Sequence, residues 1–275
     1  MTRRIAALLA ALALAACGAG HDPTRPPTAS APTPTPAPPL PTTAAALASD
    51  LTATSAALRD AIAAWRGDGD PATGDAPPRA AGLAARVERI HRTLAQRRRL
   101  AARTLPRLGA DVGAEARDVI AAQRALAVLN KPRPGQKPPK IRRGPPEPAD
   151  VLLGYYREAS RRTGVSAKLL AAVNLIESDF GRVRNDSVAG AQGPMQFIPA
   201  TWRSYGRGGD IHDPHDAILG AARFLAAGGA RADEAGALYR YNPSPLYVAA
   251  VSRYAHLMRS DPLAFYALYA SGARD

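Results

Sequence analysis

The chain has 275 residues with a formal net charge of +13, and 46% of the residues are hydrophobic. This length allows one or two domains, and the hydrophobic content suffices for a core even though aromatic residues make up only 5%. A single cysteine, Cys17, excludes an internal disulfide. Because no segment alternates apolar and polar residues over a strand's length, we predict an all-α protein.

The first 16 residues are predicted to be a signal peptide. Arg3 and Arg4 precede an apolar stretch, and Leu-Ala-Ala then leads to Cys17. The apolar stretch is far shorter than the roughly 20 residues that a membrane-spanning helix needs. Because Leu-Ala-Ala-Cys resembles a bacterial lipobox, we expect a lipid on Cys17 that anchors an exported protein to the outer face of a bacterial membrane. The alternative is an ordinary secretory signal in which the cysteine is incidental.

Two segments are predicted to be linkers. Residues 17–43 are rich in Pro and Thr, contain almost no large apolar side chains and are expected to form an extended tether. Residues 131–148 form a second, basic and Pro-rich linker. This linker is either a solubilising spacer or an electrostatic attachment to anionic wall polymers or phospholipid headgroups.

Residues 44–130 are predicted to form a small helical bundle without a catalytic site. Apolar residues recur at helical spacing in three segments, namely 44–66, 79–104 and 112–130. Arg97, Arg98 and Arg99 could suggest nucleic-acid binding. No aromatic residues alternate with them to stack on bases, and a signal peptide precedes them, so we do not expect a nucleic-acid partner.

The last predicted unit, residues 149–275, contains the most informative stretch of the chain. A first helix is expected to end at Gly164, and Ser166 is a plausible N-cap of the next. That second helix should end near Phe180, which places Glu177 in its last turn. A carboxylate is disfavoured there because the C-terminal end of a helix carries partial negative charge.

Helix position and burial would both raise the pKa of Glu177. A carboxylic acid that stays protonated near neutral pH can donate a proton to the leaving oxygen of a glycosidic bond. From helix position alone, an exposed Glu177 paired with Arg182 or Arg184 is the more ordinary interpretation, and the neighbouring motifs change that balance.

The segment from Asp210 to Asp216 contains three Asp and two His, which could suggest a metal site. Asp213, Pro214 and Asp216 are better explained as the N-cap, first and third residues of the next helix. The loop also lacks the spacing of an EF-hand. We therefore predict neither a metal nor another cofactor.

Three motifs in order resemble the catalytic domain of lytic murein transglycosylases. They are Glu177-Ser178, the stretch SVAGAQGPMQFIPATW at 187–202 and ALYRYN at 237–242. The central motif, with DPHDAI at 213–218, is similar to the compact branch of that family with a GPMQFxPxTW core. The resemblance covers roughly residues 149–258 and implies a lysozyme-like helical fold.

The resemblance implies that one carboxylic acid, Glu177, does the chemistry. In that family the Glu first protonates the bond between N-acetylmuramic acid and N-acetylglucosamine, then acts as base on the muramic O6 hydroxyl, which gives a 1,6-anhydro product. The substrate is then the glycan strand of peptidoglycan. The resemblance also assigns substrate-binding roles to five further residues, namely Ser187, Met195, Gln196, Tyr241 and Asn242.

One departure from the family and two rival functions stay open. Many relatives continue the Tyr-Asn pair with Ala-Gly, whereas Pro243-Ser244-Pro245 follows here, which leaves backbone contacts of that loop in doubt. One rival is a lysozyme-type hydrolase in which Asp186 holds the water; Asp179 should point to another helix face. The other rival is a non-catalytic cell-wall-binding lipoprotein.

Overall fold

The computed structural model describes residues 38–131 and 140–272. Within these ranges the protein has eleven α-helices and no strand, so the prediction of an all-α fold is confirmed. The signal peptide, Cys17, most of the tether and residues 132–139 of the basic linker lie outside the described residues. The helices are α1 (Ala44–Gly67), α2 (Pro78–Gln96), α3 (Arg98–Thr104), α4 (Ala110–Leu129), α5 (Ala149–Thr163), α6 (Ala167–Ser178), α7 (Pro199–Tyr205), α8 (Pro214–Ala227), α9 (Glu234–Tyr241), α10 (Pro245–Ser260) and α11 (Ala264–Ser271).

The N-terminal helices follow the predicted pattern with one correction. The segment predicted as one helix over 79–104 is divided at Arg97, whose φ of −104° and ψ of 79° are not helical. The break reorients the chain so that the short helix α3 buries Leu100 and Ala101. None of the helices in the described ranges combines the length and apolarity needed to cross a lipid bilayer.

Helices α1 to α4 pack directly on α10 and α11, and the two groups share one hydrophobic core. Helix α4 lies along α10, and α2 contacts α11. Trp65 of α1 meets the ring of Tyr266 edge-on, with 5.7 Å between ring centroids. At the periphery, Arg253 of α10 forms an ion pair of 2.7 Å with Asp118 of α4. The N-terminal helices therefore form one wall of the same folded unit.

Helix α6 is the buried centre of the C-terminal half and contacts α5, α8 and α10. Its boundaries follow local signals. Gly164 ends α5 with a φ of 76°, and the Ser166 hydroxyl accepts the backbone N–H of Leu169. Beyond Ser178, the chain turns through three consecutive residues of positive φ, namely Asp179, Phe180 and Gly181. This turn redirects the chain from α6 towards the loop that lines the site.

Candidate active site

Glu177 occupies the last turn of α6 and is only 5% exposed. Its Oε1 accepts a hydrogen bond of 2.6 Å from the hydroxyl of Tyr247. Burial raises the pKa of Glu177 to about 7, and the hydrogen bond from Tyr247 opposes part of that rise. The carboxyl group is therefore balanced between its acid and base forms near neutral pH, as an acid–base catalyst requires.

Sequence reasoning missed Tyr247, which is fully buried near the start of α10. The Ser244 hydroxyl caps this helix by accepting the backbone N–H of Tyr247, and Pro245 takes the first helical position. Ser244 and Pro245, which belong to the segment that departs from the family's Tyr-Asn-Ala-Gly sequence, thus begin α10. The start of this helix places Tyr247 opposite Glu177. A Ser-Pro cap followed by a tyrosine was the available signal, although nothing in it pointed to Glu177.

A small cavity of about 10 Å³, room for roughly one water molecule, lies beside the carboxyl group. The residues that line it combine a few apolar side chains with several polar ones, namely Ile141, Glu177, Val183, Asn185, Asp186, Ser187 and Gln196. The cavity brings together three predicted site residues, Glu177, Ser187 and Gln196. Asp186, considered in the rival hydrolase, lines it too but is exposed, and its Oδ2 lies 3.5 Å from Nε2 of Gln192.

A tight hairpin over residues 192–197 presents Gln196 to the cavity. Gln192 and Phe197 exchange two backbone hydrogen bonds, and Gln196 has a φ of 49° that is unusual for a residue other than glycine. Its Nε2 donates to the backbone carbonyl oxygens of Gly193 (3.0 Å) and Asn185 (3.3 Å). The amide oxygen is left free to accept from a ligand, since no described residue donates to it.

Met195 takes a different position from the one predicted. Its side chain is fully buried in the hydrophobic core, so the thioether has no surface with which to support a sugar face. Its backbone carbonyl accepts a hydrogen bond of 2.6 Å from the Tyr241 hydroxyl. In this structure Met195 therefore packs the hairpin against the core, and the resemblance to the family could not distinguish this from a ligand contact.

Ser187 is buried and organises its own loop. Its Oγ accepts hydrogen bonds from the backbone N–H groups of Ala189 (3.2 Å) and Ala191 (2.9 Å). The hydroxyl proton remains available to the cavity because neither contact uses it. Ser187 can therefore hold its loop in place and donate a hydrogen bond to a ligand at the same time.

Tyr241 is the last residue of α9, and Asn242 is the C-cap of this helix. The rings of Tyr241 and Tyr247 are parallel, with centroids 6.4 Å apart. Asn242 is 3% exposed, and its side-chain amide has no hydrogen-bond partner among the described residues. The fully buried polar atoms without a partner do not include those of Asn242, so its amide reaches solvent and is suited to bond a polar substituent of the substrate.

The other acidic and basic groups near α6 do not pair with Glu177. Asp179 forms an ion pair of 2.6 Å with Arg143, and Arg182 donates to the backbone oxygen of Tyr269 at 2.9 Å. Arg184 donates to a backbone carbonyl of the preceding linker. An exposed Glu177 paired with Arg182 or Arg184 is therefore excluded by its burial and by these contacts.

The acidic segment before α8 carries the caps that the sequence predicted. Oδ1 of Asp213 accepts the backbone N–H of Asp216 at 2.8 Å, and Pro214 is the first helical residue. Asp213, His215 and Asp216 place potential metal-ligand atoms within 4.8 Å of one another. However, His215 is already held by Glu158, with 2.9 Å between Nε2 and Oε2, so helix capping and this contact account for the arrangement.

Comparison with family models found one match that joins these observations. Residues 154–256 match the family model of the transglycosylase SLT domain. This stretch of the chain is similar to the transglycosylase SLT domain. The match includes Glu177, the 192–197 hairpin and Tyr247 and excludes helices α1 to α4. Neither the search of curated proteins nor that of solved structures found a match.

The family match indicates the general chemistry of the site. It supports a lytic transglycosylase with a lysozyme-like fold that acts on peptidoglycan. Glu177 is the best-placed acid–base group of the matched region, because its carboxyl group is buried, has a raised pKa and lies beside a cavity. The residues that line this cavity are thus the candidates for contact with the glycan strand.

Proposed function

We propose that the protein cleaves the β-1,4 bond between N-acetylmuramic acid and N-acetylglucosamine in peptidoglycan and forms a 1,6-anhydro-muramic acid end. The observation that carries this proposal is the single buried carboxyl group of Glu177, whose pKa lies at about 7. Its only side-chain hydrogen bond among the described residues comes from Tyr247. One group that exchanges a proton twice at neutral pH is sufficient for an intramolecular transfer.

In the first step, protonated Glu177 gives its proton to the oxygen that leaves with the neighbouring sugar. The bond from that oxygen to the anomeric carbon of muramic acid breaks, and positive charge develops on the sugar ring. Glu177 is then a buried carboxylate, which the hydroxyl of Tyr247 stabilises through a charge-assisted hydrogen bond.

In the second step, the carboxylate of Glu177 removes the proton from the O6 hydroxyl of the same muramic acid. O6 bonds to the anomeric carbon and closes the 1,6-anhydro ring, so Glu177 ends the cycle protonated. No water is consumed. Gln196 and Asn242 are suited to hold the sugars by hydrogen bonds during both steps, because each presents an amide group without a full set of partners.

A lysozyme-type hydrolysis is the second candidate, and the presence of Asp186 in the same cavity favours it. A carboxylate on the opposite side of the sugar could hold a water for attack on the anomeric carbon. The two reactions give different products, since an anhydro end is lighter than a reducing end by one water. Mass spectrometry of digested sacculi should show anhydro ends, and reducing ends alone would establish the hydrolase.

The variant Glu177→Gln tests whether the protein is an enzyme at all. It keeps the shape of the side chain but has no acidic proton to give, so we expect a loss of at least about a hundredfold in muralytic rate. The matched control is Glu234→Gln, which removes only a surface ion pair with Arg259 and should retain activity. Equal lysis by Glu177→Gln and wild type would remove the catalytic role of Glu177, and no lysis by wild type would favour the wall-binding lipoprotein.

We also propose that the protein is exported and held at the outer face of a bacterial membrane by a lipid on Cys17. The Leu-Ala-Ala-Cys sequence and the preceding apolar stretch support this location. Cys17→Ser should move the protein from the membrane fraction to the soluble fraction, as measured by fractionation and immunoblotting. Unchanged membrane retention of Cys17→Ser would rule out the anchor.

Electrostatic attachment of the basic linker to anionic wall polymers is an additional proposal. It is supported by the positive charges of residues 131–148. Binding of the Cys17→Ser protein to cell walls should weaken as salt rises, because ions screen exposed charges. A salt-independent retention would leave the segment as a spacer.

A further inference from the structure

The segment Lys140–Pro145, which we name the strap, lies alongside the loop that follows α6. Two backbone hydrogen bonds join them in antiparallel orientation. The N–H of Arg184 donates to the carbonyl of Arg142, and the N–H of Gly144 donates to the carbonyl of Arg182, both at 2.9 Å. The sequence predicted only a spacer or a basic attachment segment here, but the strap is bound to the wall of the candidate active site.

Asn185 fixes the strap from the side of the cavity. Its Nδ2 donates to the backbone carbonyl of Lys140 at 3.0 Å, and its Oδ1 accepts the backbone N–H of Arg142 at 2.6 Å. One side chain therefore clamps the backbone on both sides of Ile141. Because both hydrogen-bonding ends of the amide are used, the position of Ile141 is determined by Asn185.

A third attachment lies at the far end of the strap. The guanidinium of Arg143 donates to Oδ2 of Asp179 at 2.6 Å and to the backbone carbonyl of Gly272 at 3.3 Å. Asp179 directly follows the helix that carries Glu177. The strap is thus fastened to the end of α6 and to the end of α11 as well as to the loop between them.

The held residue, Ile141, forms an apolar part of the cavity wall. It lines the cavity that also contains Glu177, together with the apolar side chain of Val183. Ile141 is only partly buried and is not one of the residues of the hydrophobic core or of those packed against it. Its exposed apolar surface is therefore available to a ligand that lies across the mouth of the cavity.

We propose that Ile141 contacts the bound glycan and that Asn185 is a positioning residue that holds it there, so that the strap determines specificity. Residues 154–256 match the SLT domain, so the strap adds to the site from outside the matched region. The substrate group it suits is an apolar face, such as the C–H face of a sugar or the methyl of an N-acetyl group. This inference rests on the proposed function.

The test compares Ile141→Phe and Ile141→Val with Val128→Phe in the full-length chain. Val128 is 63% exposed on α4 and controls for an added aromatic ring. Ile141→Phe fills the cavity, so we expect kcat/KM on glycan strands to fall by about tenfold or more, with the thermal midpoint unchanged. Ile141→Val and Val128→Phe should behave like wild type. Equal kcat/KM for Ile141→Phe and Val128→Phe would overturn the inference.

Asn185→Ala tests the positioning role separately. Loss of the clamp should raise KM several-fold and change kcat less, because Asn185 acts through Ile141 and does not reach the reacting atoms. Asn185→Asp retains the acceptor for Arg142 but loses the donor to Lys140, so its KM should fall between those of wild type and Asn185→Ala. A KM of Asn185→Ala equal to that of wild type would remove the positioning role.

A binding measurement separates this inference from the proposed function. Calorimetry of an N-acetylglucosamine tetramer, made in a Glu177→Gln background, requires no turnover. Adding Ile141→Phe should weaken binding by about tenfold, whereas adding Val128→Phe should not. If wild type cleaves no peptidoglycan but Ile141→Phe still weakens binding, the reaction is wrong and the strap inference stands. Equal binding by both double variants would reject the strap.

Discussion

At the scale of single residues, the properties of the site depend on the pair Glu177 and Tyr247. Burial raises the pKa of the carboxyl group, and a donated hydrogen bond of 2.6 Å partly reverses the rise. Burial and the hydrogen bond from Tyr247 act in opposite directions on the pKa of Glu177, so their balance should set the pH range of activity. The tyrosine is as much a part of this balance as the burial.

Tyr247→Phe should shift the pH–rate profile to higher pH. The hydroxyl stabilises the ionised carboxylate, so its removal raises the pKa of Glu177 further above its ordinary value, and the protonated form persists to higher pH. We expect the alkaline limb of kcat/KM to move upward and the maximal rate to fall by about tenfold, since the carboxylate formed in the first step loses its donor. The measurement is the rate of sacculus lysis across pH.

The control for this variant is Tyr239→Phe, because Tyr239 is 49% exposed on α9 and remote from that hydrogen bond. Its profile should overlay that of wild type. A Tyr247→Phe profile with an unmoved alkaline limb would show that Glu177 is not the group that controls the rate.

The sequence singled out Glu177 and Gln196, which line one cavity, because a carboxylate at a helix end and a GPMQF motif are local signals. It could not identify Tyr247, since the contact joins residues 70 positions apart and depends on how α10 packs on α6. It also misplaced the side chain of Met195. Whether a thioether points into a core or a cleft is decided by packing, which the motif does not encode.

At the scale of elements, the 192–197 hairpin shows how a backbone requirement positions a side chain. Gly193 has a φ of 71°, and a Cβ at this residue would collide with the backbone carbonyl of Ile211. Glycine is therefore needed for two reasons, backbone conformation and space. Gln196 reaches the cavity only because the hairpin can approach the Ile211 loop this closely.

Gly193→Ala should destabilise the protein and impair activity, and Gly190→Ala provides the matched control. Gly190 also has a positive φ, of 78°, but a Cβ there would meet nothing within 4 Å. Both variants carry backbone strain of about 1 kcal/mol, and only Gly193→Ala adds the collision. We expect a lower thermal midpoint and a higher KM for Gly193→Ala than for Gly190→Ala. Identical behaviour would mean that the hairpin can move without consequence.

Helix boundaries were largely predictable because they are local. Ser166, Asp213 and Gly164 all act as the caps that the sequence indicated. The division between α2 and α3 was not predictable, because apolar spacing continues through Arg97 while the backbone does not. What breaks the helix there is the burial of α3 against its neighbours rather than a helix-stopping residue.

At the scale of the whole molecule, helices α1 to α4 and the helices of the SLT domain share a core. Composition predicted a helical region with a linker behind it, and periodicity cannot show which helices pack together. The contact of α4 with α10 joins segments more than 100 residues apart. Helix α10 also carries Tyr247, the hydrogen-bond donor to Glu177. The N-terminal helices therefore support the helix that positions this donor.

Trp65→Ala should therefore affect the catalytic half although Trp65 lies in α1. The side chain is 4% exposed and packs against Tyr266 and Tyr269 of α11. Removing a buried tryptophan costs about 3–5 kcal/mol, so we expect a markedly lower thermal midpoint and loss of activity at temperatures where wild type is active. Differential scanning fluorimetry and lysis assays check this. Val128→Ala, an exposed change on α4, should alter stability by less than about 0.5 kcal/mol.

The burial of Glu177 also links folding to protons. The ordinary pKa of a glutamic acid, 4.5, applies to the unfolded chain, whereas the folded protein holds its proton up to about pH 7. Between pH 4.5 and about pH 7 the folded protein keeps the proton of Glu177, whereas the unfolded chain has lost it. The free energy of unfolding therefore decreases by about 3 kcal/mol as the pH rises through this interval. The proposed acid–base group thus makes the folded state more stable at mildly acidic pH than at alkaline pH.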